Sequence, residues 1–310
     1  MAMVAIARTH GVSEKEIKRA VYEVLERCDF CSSSNIDPVV IKVNLRYYWD
    51  FSTGETTDPR VVSALIDYLR DYCGAKEIIV AEADASAMRT KYSFKMLGYE
   101  KLAEEKNIPL MNLSEVERVD QEVVVGGRKF TLPVPKPALE AGLFINVPKL
   151  RTHRLTTISV GLKNLFGAIA KPRKIVYHPH LNEVIVAINK ILKTDLVLVD
   201  GIIALGKYPV NFGVVLASED QLACDIVSAK LMGYNPQKIK HLQLAYREGV
   251  GEAKAIETVG MNDEEIKELS KKFPKENYFI YNLVWDIKLF LLDTYLKLTG
   301  DTRPPVLDRH

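Results

Sequence analysis

Short apolar runs alternate with helical patterns along most of this chain, and this alternation constrains the fold more than any other feature. The clearest runs are VVIKVNL (39–45), KEIIVAEA (76–83), LFINV (143–147), DLVLVDGI (195–202) and FGVVLAS (212–218). Helical patterns occupy 13–28, 59–73, 92–106, 157–168, 181–193, 221–233 and 236–248. Apolar strands separated by helices form a parallel sheet that is covered on both faces. We therefore predict an α/β fold with a mostly parallel sheet and helices on both faces.

Two segments depart from this alternation. Gly126-Gly127 lies between two β-type runs in EVVVGGRKFTLPV (122–134), which predicts a small β-hairpin insertion at about 120–135. Beyond Gly251 the sequence becomes a charged helical pattern at 262–273 and a longer one at 278–298, which has an apolar stripe. We expect an α/β domain over 1–251 and a C-terminal helical extension over 252–310. We expect the helix 278–298 to pack either on its own domain or on a second subunit of a homo-oligomer.

Composition and charge exclude several function classes. The 42 basic and 40 acidic side chains leave a net charge of +2, which argues against a nucleic-acid-binding protein. No run of about 18 uncharged apolar residues occurs, so we expect no membrane span. The four cysteines are dispersed rather than arranged as a disulfide framework, and the first residues lack a signal-peptide pattern, so a cytoplasmic protein is expected. Scarce Gln with abundant Lys, Arg and Glu is typical of heat-adapted proteins.

Polar residues follow several predicted strands at the point where each strand ends. In open parallel sheets ligands bind beyond these carboxyl ends. The side chains that we expect to bind a small anionic ligand there are Lys42, Asn44, Thr56, Thr57, Lys149, Thr152 and Asn164. Thr56 and Thr57 precede a helix, where free N–H groups can bind an anion or where the residues simply cap the helix.

Histidine and lysine side chains are the candidates for catalysis. His153 has an ordinary pKa near the physiological range, which suits a general acid or base. Lys163 either extends to the surface or is a partly desolvated amine that binds anions or acts as a nucleophile or base. His178 and His180 are two residues apart and can ligate a metal, with Asp200 as a further ligand, or can be incidental residues of a surface loop.

Cys28 and Cys31 form a single CxxC pattern at the end of a predicted helix. A zinc ribbon requires a second such pair at short spacing, and a thioredoxin-type motif begins a helix. We therefore expect structural thiols.

Several motifs resemble the archaeal and bacterial family called domain of unknown function 362. They are IKVNL (41–45), TTDP (56–59), INVPKLRTH (145–153), GLKNLFG (161–167), VDGI (199–202) and LACDIVSAKLMGYNP (222–236), so the resemblance spans about 38 to 251. Arg151 stands where the family usually has lysine, and ALGKYP replaces its glycine-proline signature. The resemblance implies a fold and a cleft but no established reaction. Many relatives carry a cysteine-rich ferredoxin-like module, and this sequence lacks its motifs, so no iron–sulfur cluster is expected.

The layout also resembles, more distantly, the nickel-pincer lactate racemase family. In both, a histidine precedes a helical lysine and a further histidine follows, here His153, Lys163 and then His178 or His180. This resemblance implies that Lys163 tethers a cofactor, that one later histidine ligates nickel, and that His153 moves the proton. It therefore implies a divalent metal, nickel or zinc.

Three functions follow from these observations. The first is an enzyme for a small anionic metabolite, either a carboxylate or a phosphate ester, with racemase-like, isomerase-like or other metal-assisted acid–base chemistry through His153 and Lys163. The second is a redox or cofactor-maturation partner of iron–sulfur proteins. The third is a nucleic-acid or ribosome-associated protein that uses the basic segment 149–174.

Overall fold

Strands and helices alternate along the chain as the sequence predicts. The computed structural model describes residues 1–31, 36–86 and 88–276, together with 278, 287, 290, 291, 294, 295 and 298. The strands are β1 (Ala2–Arg8), β2 (Val39–Val43), β3 (Ile78–Glu82), β4 (Leu110–Asn112), β5 (Arg118–Val125), β6 (Arg128–Pro135), β7 (Leu143–Val147), β8 (Lys149–His153), β9 (Thr157–Ser159), β10 (Leu196–Leu205), β11 (Pro209–Ser218) and β12 (Ile256–Val259). The helices are α1 (Glu14–Arg27), α2 (Pro59–Cys73), α3 (Thr90–Met96), α4 (Tyr99–Lys106), α5 (Lys136–Leu139), α6 (Gly161–Leu165), α7 (Leu181–Ile191), α8 (Gln221–Leu231), α9 (Lys240–Arg247) and α10 (Asp263–Ser270).

The main sheet places the parallel strands in its centre and at one edge. Its order in the described chain is β12-β1-β11-β10-β7-β2-β3-β4, and the neighbours from β10 through β7, β2 and β3 to β4 are parallel. At the other side β11 is antiparallel to both β10 and β1. Strand β8 follows β7 and pairs with β10 and β9. The carboxyl ends of β2, β3 and β7 therefore meet at one edge.

Helices cover both faces of this sheet, as predicted. One buried cluster contains the apolar residues of α1, α2 and α4, and the other contains those of α6, α7, α8 and α9. Local signals set the helix ends: the Ser13 and Asp58 side chains accept hydrogen bonds from the first turns of α1 and α2, and Gly74 ends α2 with φ 69°. The hairpin insertion is also confirmed, since β5 and β6 pair around Gly126 and Gly127.

Two predicted helices differ from the observed ones. The helix predicted at 157–168 begins only at Gly161, because Thr157–Ser159 pair with β8 as β9. The helix predicted at 92–106 is two helices, because Gly98 adopts φ 81° between them. Strand β1 was not predicted, although six of its seven residues are apolar.

The segment beyond Gly251 contributes to the main sheet. Strand β12 pairs in parallel with β1, and α10 begins with a capping box between Asn262 and Glu265. Most of the predicted helix 278–298 lies outside the described residues, so the homo-oligomer through it stays a prediction. The described residues between 287 and 298 are helical. The large apolar side chains among them are exposed, namely Ile287, Phe290, Leu291, Tyr295 and Leu298. No helix in the described ranges is long and apolar enough to cross a membrane.

The cysteines correct one expectation. Cys31 and Cys73 form a disulfide that joins the segment after α1 to the end of α2, whereas Cys28 and Cys224 are free and buried. The sequence did not predict this pair because the two residues lie 42 positions apart. The expectation of structural thiols therefore holds for Cys28 but not for Cys31, and the cytoplasmic prediction loses the support of unpaired cysteines.

Candidate functional site

A cavity of about 330 Å³ lies where the carboxyl ends of the parallel strands meet. Its walls come from the ends of β2 and β3, from β8, from α6 and from the segment 172–178. Its polar lining residues are Lys42, Asn44, Arg46, Tyr47, Glu82, Ser86, Arg151, His153, Ser159, Lys163, Asn164, Lys174 and His178. This is the position where open α/β sheets bind ligands.

Positive charge dominates the described lining. Five Lys or Arg residues face the cavity, and the carboxylate among the described lining residues is that of Glu82. Cations that converge on a concave, partly desolvated space create a strong positive potential. The cavity therefore suits an anion of small size.

Lys163 is the least neutralised amine of the site. Its Nζ lies 4.6 Å from the centroid of the Phe166 ring, and no hydrogen-bond acceptor or carboxylate among the described residues contacts it. Burial, and then the charges of Arg151 and Arg46, lower the pKa of Lys163 from 10.5 to about 7. Of the two interpretations of Lys163, the geometry favours the partly desolvated amine over a chain that extends to the surface.

The position of Lys163 depends on how α6 is held. The Asp225 carboxylate accepts hydrogen bonds from Gly161 N (2.7 Å) and Leu162 N (3.0 Å), and burial raises the pKa of this carboxyl to about 7. A chain of buried amides supports the same helix. Asn164 Nδ2 donates to Asn146 Oδ1 (2.7 Å), and Asn146 Nδ2 donates to Gln221 Oε1 (2.6 Å). Short α6 is thereby fixed to β7 and α8 rather than stabilised by its own length.

His153 lies at the end of β8 and is held through one ring nitrogen. Thr156 Oγ1 donates to the Ile158 carbonyl (2.8 Å) and lies 3.0 Å from His153 Nδ1. Leu155 N donates to the same nitrogen at 3.3 Å. In the tautomer that accepts from Leu155 N the ring hydrogen lies on Nε2, whereas in the tautomer that donates to Thr156 Oγ1 it lies on Nδ1 and Nε2 is an acceptor. Burial, and then Lys163 and Arg151, lower the pKa of His153 well below 6.5, so the ring is neutral.

Arg46 and Arg151 share one carboxylate. Glu55 Oε2 accepts from Arg46 Nη1 at 3.0 Å and lies 3.2 Å from Arg151 Nη1. Arg151 is buried, and its Nε and Nη1 have no hydrogen-bond acceptor among the described residues. Burial, and then the charge of Arg46, lower the pKa of Arg151 to about 10. A buried guanidinium with donors to spare is a binding group for a carboxylate or phosphate.

The other two lysines of the cavity already have partners. Lys42 Nζ lies 2.6 Å from Glu82 Oε1 and donates to the Val43 carbonyl at 2.6 Å. Lys174 Nζ donates to the Asp84 carbonyl at 2.6 Å, and burial lowers its pKa to about 8. These two amines contribute charge to the cavity while their hydrogen bonds fix them in its wall.

The structure brings together only part of the predicted site. Lys42, Asn44, His153, Lys163, Asn164 and His178 line the cavity. Thr56, Thr57, Lys149, Thr152, His180 and Asp200 do not. Lys149 Nζ donates to Asp200 Oδ2 (2.7 Å), which also accepts from Asp58 N (2.8 Å) at the start of α2.

The threonines are engaged within the protein. Thr57 Oγ1 donates to the Val147 carbonyl (2.8 Å), and Thr56 Oγ1 accepts from Arg46 N (3.4 Å). Thr152 Oγ1 accepts from the Tyr278 hydroxyl at 2.7 Å. These contacts hold the loop before α2 and Tyr278 against the strand ends.

The predicted metal ligands are dispersed. His178 lines the cavity, whereas the His180 ring contacts Arg128 Nη1 and Asp200 is committed to Lys149. In the described parts of the chain no three His, Cys, Asp or Glu residues are placed to hold a metal ion. A metal site built from these three side chains does not fit this arrangement.

Arg46, Arg151 and Lys174 are cavity residues that the predicted site did not include. A signal for Arg46 existed, because Lys42, Asn44 and Arg46 alternate with apolar residues, and residues two apart share one side of a strand. Arg151 is likewise two residues from His153. Lys174 was included only in the basic segment 149–174, and it reaches the cavity from the start of a 3₁₀ helix (Lys174–His180).

A family model described as domain of unknown function (DUF362) matches residues 39–230. The chain belongs to this family. It is also 29% identical over 163 residues to a thylakoid-associated protein from Synechocystis, a match that covers 46% of this chain and 50% of that protein. The chain thus spans about half the length of that relative.

A solved structure supports the fold. The lactate racemase apoprotein from Thermoanaerobacterium thermosaccharolyticum superimposes with a TM-score of 0.50 at 13% sequence identity, covering 73% of this chain and 57% of that protein. This agrees with the distant resemblance seen in the sequence. At this identity the likeness concerns the fold alone.

Proposed function

We propose that this protein is an enzyme that binds a small anionic metabolite, a carboxylate or a phosphate ester, in the 330 Å³ cavity and moves a proton on it. The observation that carries the proposal is the Lys163 amine, which lies in a cationic cavity without an acceptor among the described residues. Leaving a desolvated ammonium unpaired costs free energy, and a bound anion removes that cost.

Two groups of the cavity can exchange protons with a ligand. With a pKa of about 7, roughly half of the Lys163 amines are protonated at neutral pH, which is the optimum for an acid or base. His153 is neutral, and in the tautomer whose Nδ1–H donates to Thr156 Oγ1 its Nε2 accepts a proton. Lys163 and His153 are therefore an acid–base pair within one cavity.

These groups suit racemase-like or isomerase-like proton transfer next to a carboxylate. His153 Nε2 takes the proton from the carbon, and the electron pair of the broken C–H bond moves into the carboxylate as an enediolate. Arg151 and Lys42 stabilise the added negative charge, and the Lys163 ammonium returns a proton to the carbon. Electrons and protons balance without an oxidant or reductant.

The proposal also includes a more specific form of this chemistry, in which a metal ion assists the proton transfer. If nickel or zinc takes part, His178 is the ligand on the cavity wall, and the remaining donors come from a bound cofactor or from the substrate. Such a group would polarise the substrate carboxylate. Elemental analysis of protein purified without chelators tests this part separately, since a substoichiometric metal content contradicts it.

Binding is tested first, with oxalate as the probe. Isothermal titration should show one oxalate per chain, and Lys163→Met should weaken its affinity roughly tenfold or more because a charge-assisted contact is lost. Lys193→Met removes an exposed lysine elsewhere and should leave the affinity unchanged. Equal oxalate affinity in wild type and Lys163→Met contradicts the proposed site.

Turnover is tested by hydrogen exchange. In D₂O, proton NMR should show loss of the α-proton signal of at least one of lactate, glycerate and malate in the presence of the wild-type protein. His153→Gln and Lys163→Met should each slow this exchange about 100-fold or more. Exchange that continues at the wild-type rate in both variants shows that these two groups do not move the proton. The cytoplasmic location stays a prediction.

A further inference from the structure

A second, larger cleft adjoins the cavity. It has a volume of about 660 Å³ and lies between the turn of the β5–β6 hairpin, the start of α7 and the start of α9. His178 lines both spaces, and Leu155, two residues after His153, lines the larger one. His178 is thus a common wall between the larger cleft and the cavity that contains Lys163.

The larger cleft is also cationic. Arg128, Lys238, Lys240 and Arg247 line it, and Glu183 is the carboxylate among its described lining residues. Arg128 contacts the His180 ring, whereas Lys238, Lys240 and Arg247 have no hydrogen-bonded or ion-paired side-chain partner in the described chain. An ordinary solvated surface also carries exposed lysines. Here, however, the cations come from a hairpin turn, a short connecting segment and a helix, and they converge on one concave space.

The excess charge indicates the kind of anion. Four cations and one carboxylate exceed what a single carboxylate ligand neutralises. A phosphate monoester or diphosphate carries about two negative charges or more and several acceptor oxygens, and Arg and Lys bind it well.

We propose that the larger cleft binds a phosphate-bearing tail of the same ligand whose carboxylate end occupies the cavity beside Lys163. This inference rests on the proposed function, and it narrows the substrate class to a carboxylate that carries a phosphate group at a distance. The tail passes His178, and Lys240 and Arg247 bind its phosphate. The chemistry next to the carboxylate is unchanged.

The test uses phosphonocarboxylic acids of increasing chain length, each compared with the plain carboxylic acid of the same length. Linking two subsites raises affinity only when the linker spans them. Titration calorimetry should show one length at which the phosphonate gains roughly tenfold or more in affinity. Lys240→Glu/Arg247→Glu should abolish this gain and leave the plain acid unaffected. The matched control Lys193→Glu/Lys272→Glu changes the charge equally at exposed positions elsewhere and should keep the gain.

Other outcomes separate the two proposals. No gain at any length, or a gain that survives Lys240→Glu/Arg247→Glu, overturns the tail subsite while plain acids still report on the cavity. Plain acids that bind equally to wild type and Lys163→Met overturn the proposed function instead. If single-stranded RNA binds and loses affinity in the double variant while no phosphonate gains affinity, the larger cleft is a macromolecular surface and the tail subsite is wrong.

Discussion

Lys149 and Lys163 lie 14 positions apart in one motif-rich segment, yet the structure treats the two amines in opposite ways. Lys149 is buried and lies 2.7 Å from Asp200, which in turn holds the start of α2 through Asp58 N. Lys163 Nζ lies over the face of Phe166 and has no hydrogen-bonded or ion-paired partner among the described residues. The first lysine completes the fold, and the second is available to a ligand.

The difference shows how a charge that is fully or partly removed from water is tolerated. A charge removed from water needs an opposite charge, or it shifts its pKa until it is partly neutral. Lys149 has an opposite charge beside it, that of Asp200. Lys163 has no such partner in the described chain, and its pKa falls to about 7. The comparison predicts that removing Lys149 damages stability and that removing Lys163 damages binding.

The largest expected effect is on Lys149. Lys149→Met leaves Asp200 buried and unpaired, so the free energy of unfolding should fall by about 3–5 kcal/mol in urea denaturation. Lys149→Met/Asp200→Asn should recover most of this loss, because the amide keeps an acceptor for Asp58 N. If Lys163→Met lowers stability as much as Lys149→Met does, the comparison fails.

The next effect is the pH dependence of binding. Since the anion binds the ammonium form of Lys163, oxalate affinity should fall by up to about tenfold for each pH unit above 7. Lys163→Arg keeps its charge and should show a much flatter profile. A wild-type affinity that stays constant from pH 7 to 9 contradicts a lowered pKa at Lys163.

The lowered pKa of Lys163 also makes the free energy of unfolding depend on pH. Between a folded-state pKa of about 7 and the usual 10.5, the unfolded chain binds more protons at this lysine, so its contribution to stability rises with pH. The free-energy cost of keeping the Lys163 ammonium partly desolvated in the folded protein is full below about pH 7 and disappears toward pH 10.5. The stability advantage of Lys163→Met over wild type should therefore shrink as the pH rises through this window.

A smaller effect is expected at Arg151. Arg151→Met removes two donors that lack acceptors in the described chain, so oxalate affinity should fall by about 1.5 kcal/mol, roughly tenfold, with no loss of stability. Calorimetry and urea denaturation of the same variant check both parts. A stability loss larger than the affinity loss assigns Arg151 to the fold, as for Lys149.

The smallest effect concerns the carboxylate that holds α6. Asp225→Asn removes one of the two acceptors for Gly161 N and Leu162 N, so the free energy of unfolding should fall by about 1 kcal/mol. Because α6 carries Lys163, oxalate affinity should fall with it. Unchanged affinity in this variant shows that the amide chain through Asn146 and Asn164 positions Lys163 by itself.

Much of the framework could be predicted because its signals are local. Apolar runs, Ser13 and Asp58 caps and the Gly126-Gly127 turn act over a few residues, and the strands and helices that they predict form the sheet and its two layers. The helix predicted at 157–168 was wrong at its start because β9 exists only by pairing with β8. A strand of three residues is too short to show the alternation of apolar and polar residues by which strands are recognised in a sequence.

The sequence by itself determined the α/β class, the edge of the sheet where the cavity lies, and the candidates Lys42, His153 and Lys163. Only the tertiary structure decided which cations are neutralised. Lys149 meets a carboxylate 51 positions away, and Arg151 shares one that lies in the loop before α2. Lys174 lines the cavity from the start of a 3₁₀ helix, and Cys31, after α1, forms a disulfide with Cys73 at the end of α2. Ion pairing depends on distances of a few ångströms between remote segments, and residue type and spacing do not encode those distances.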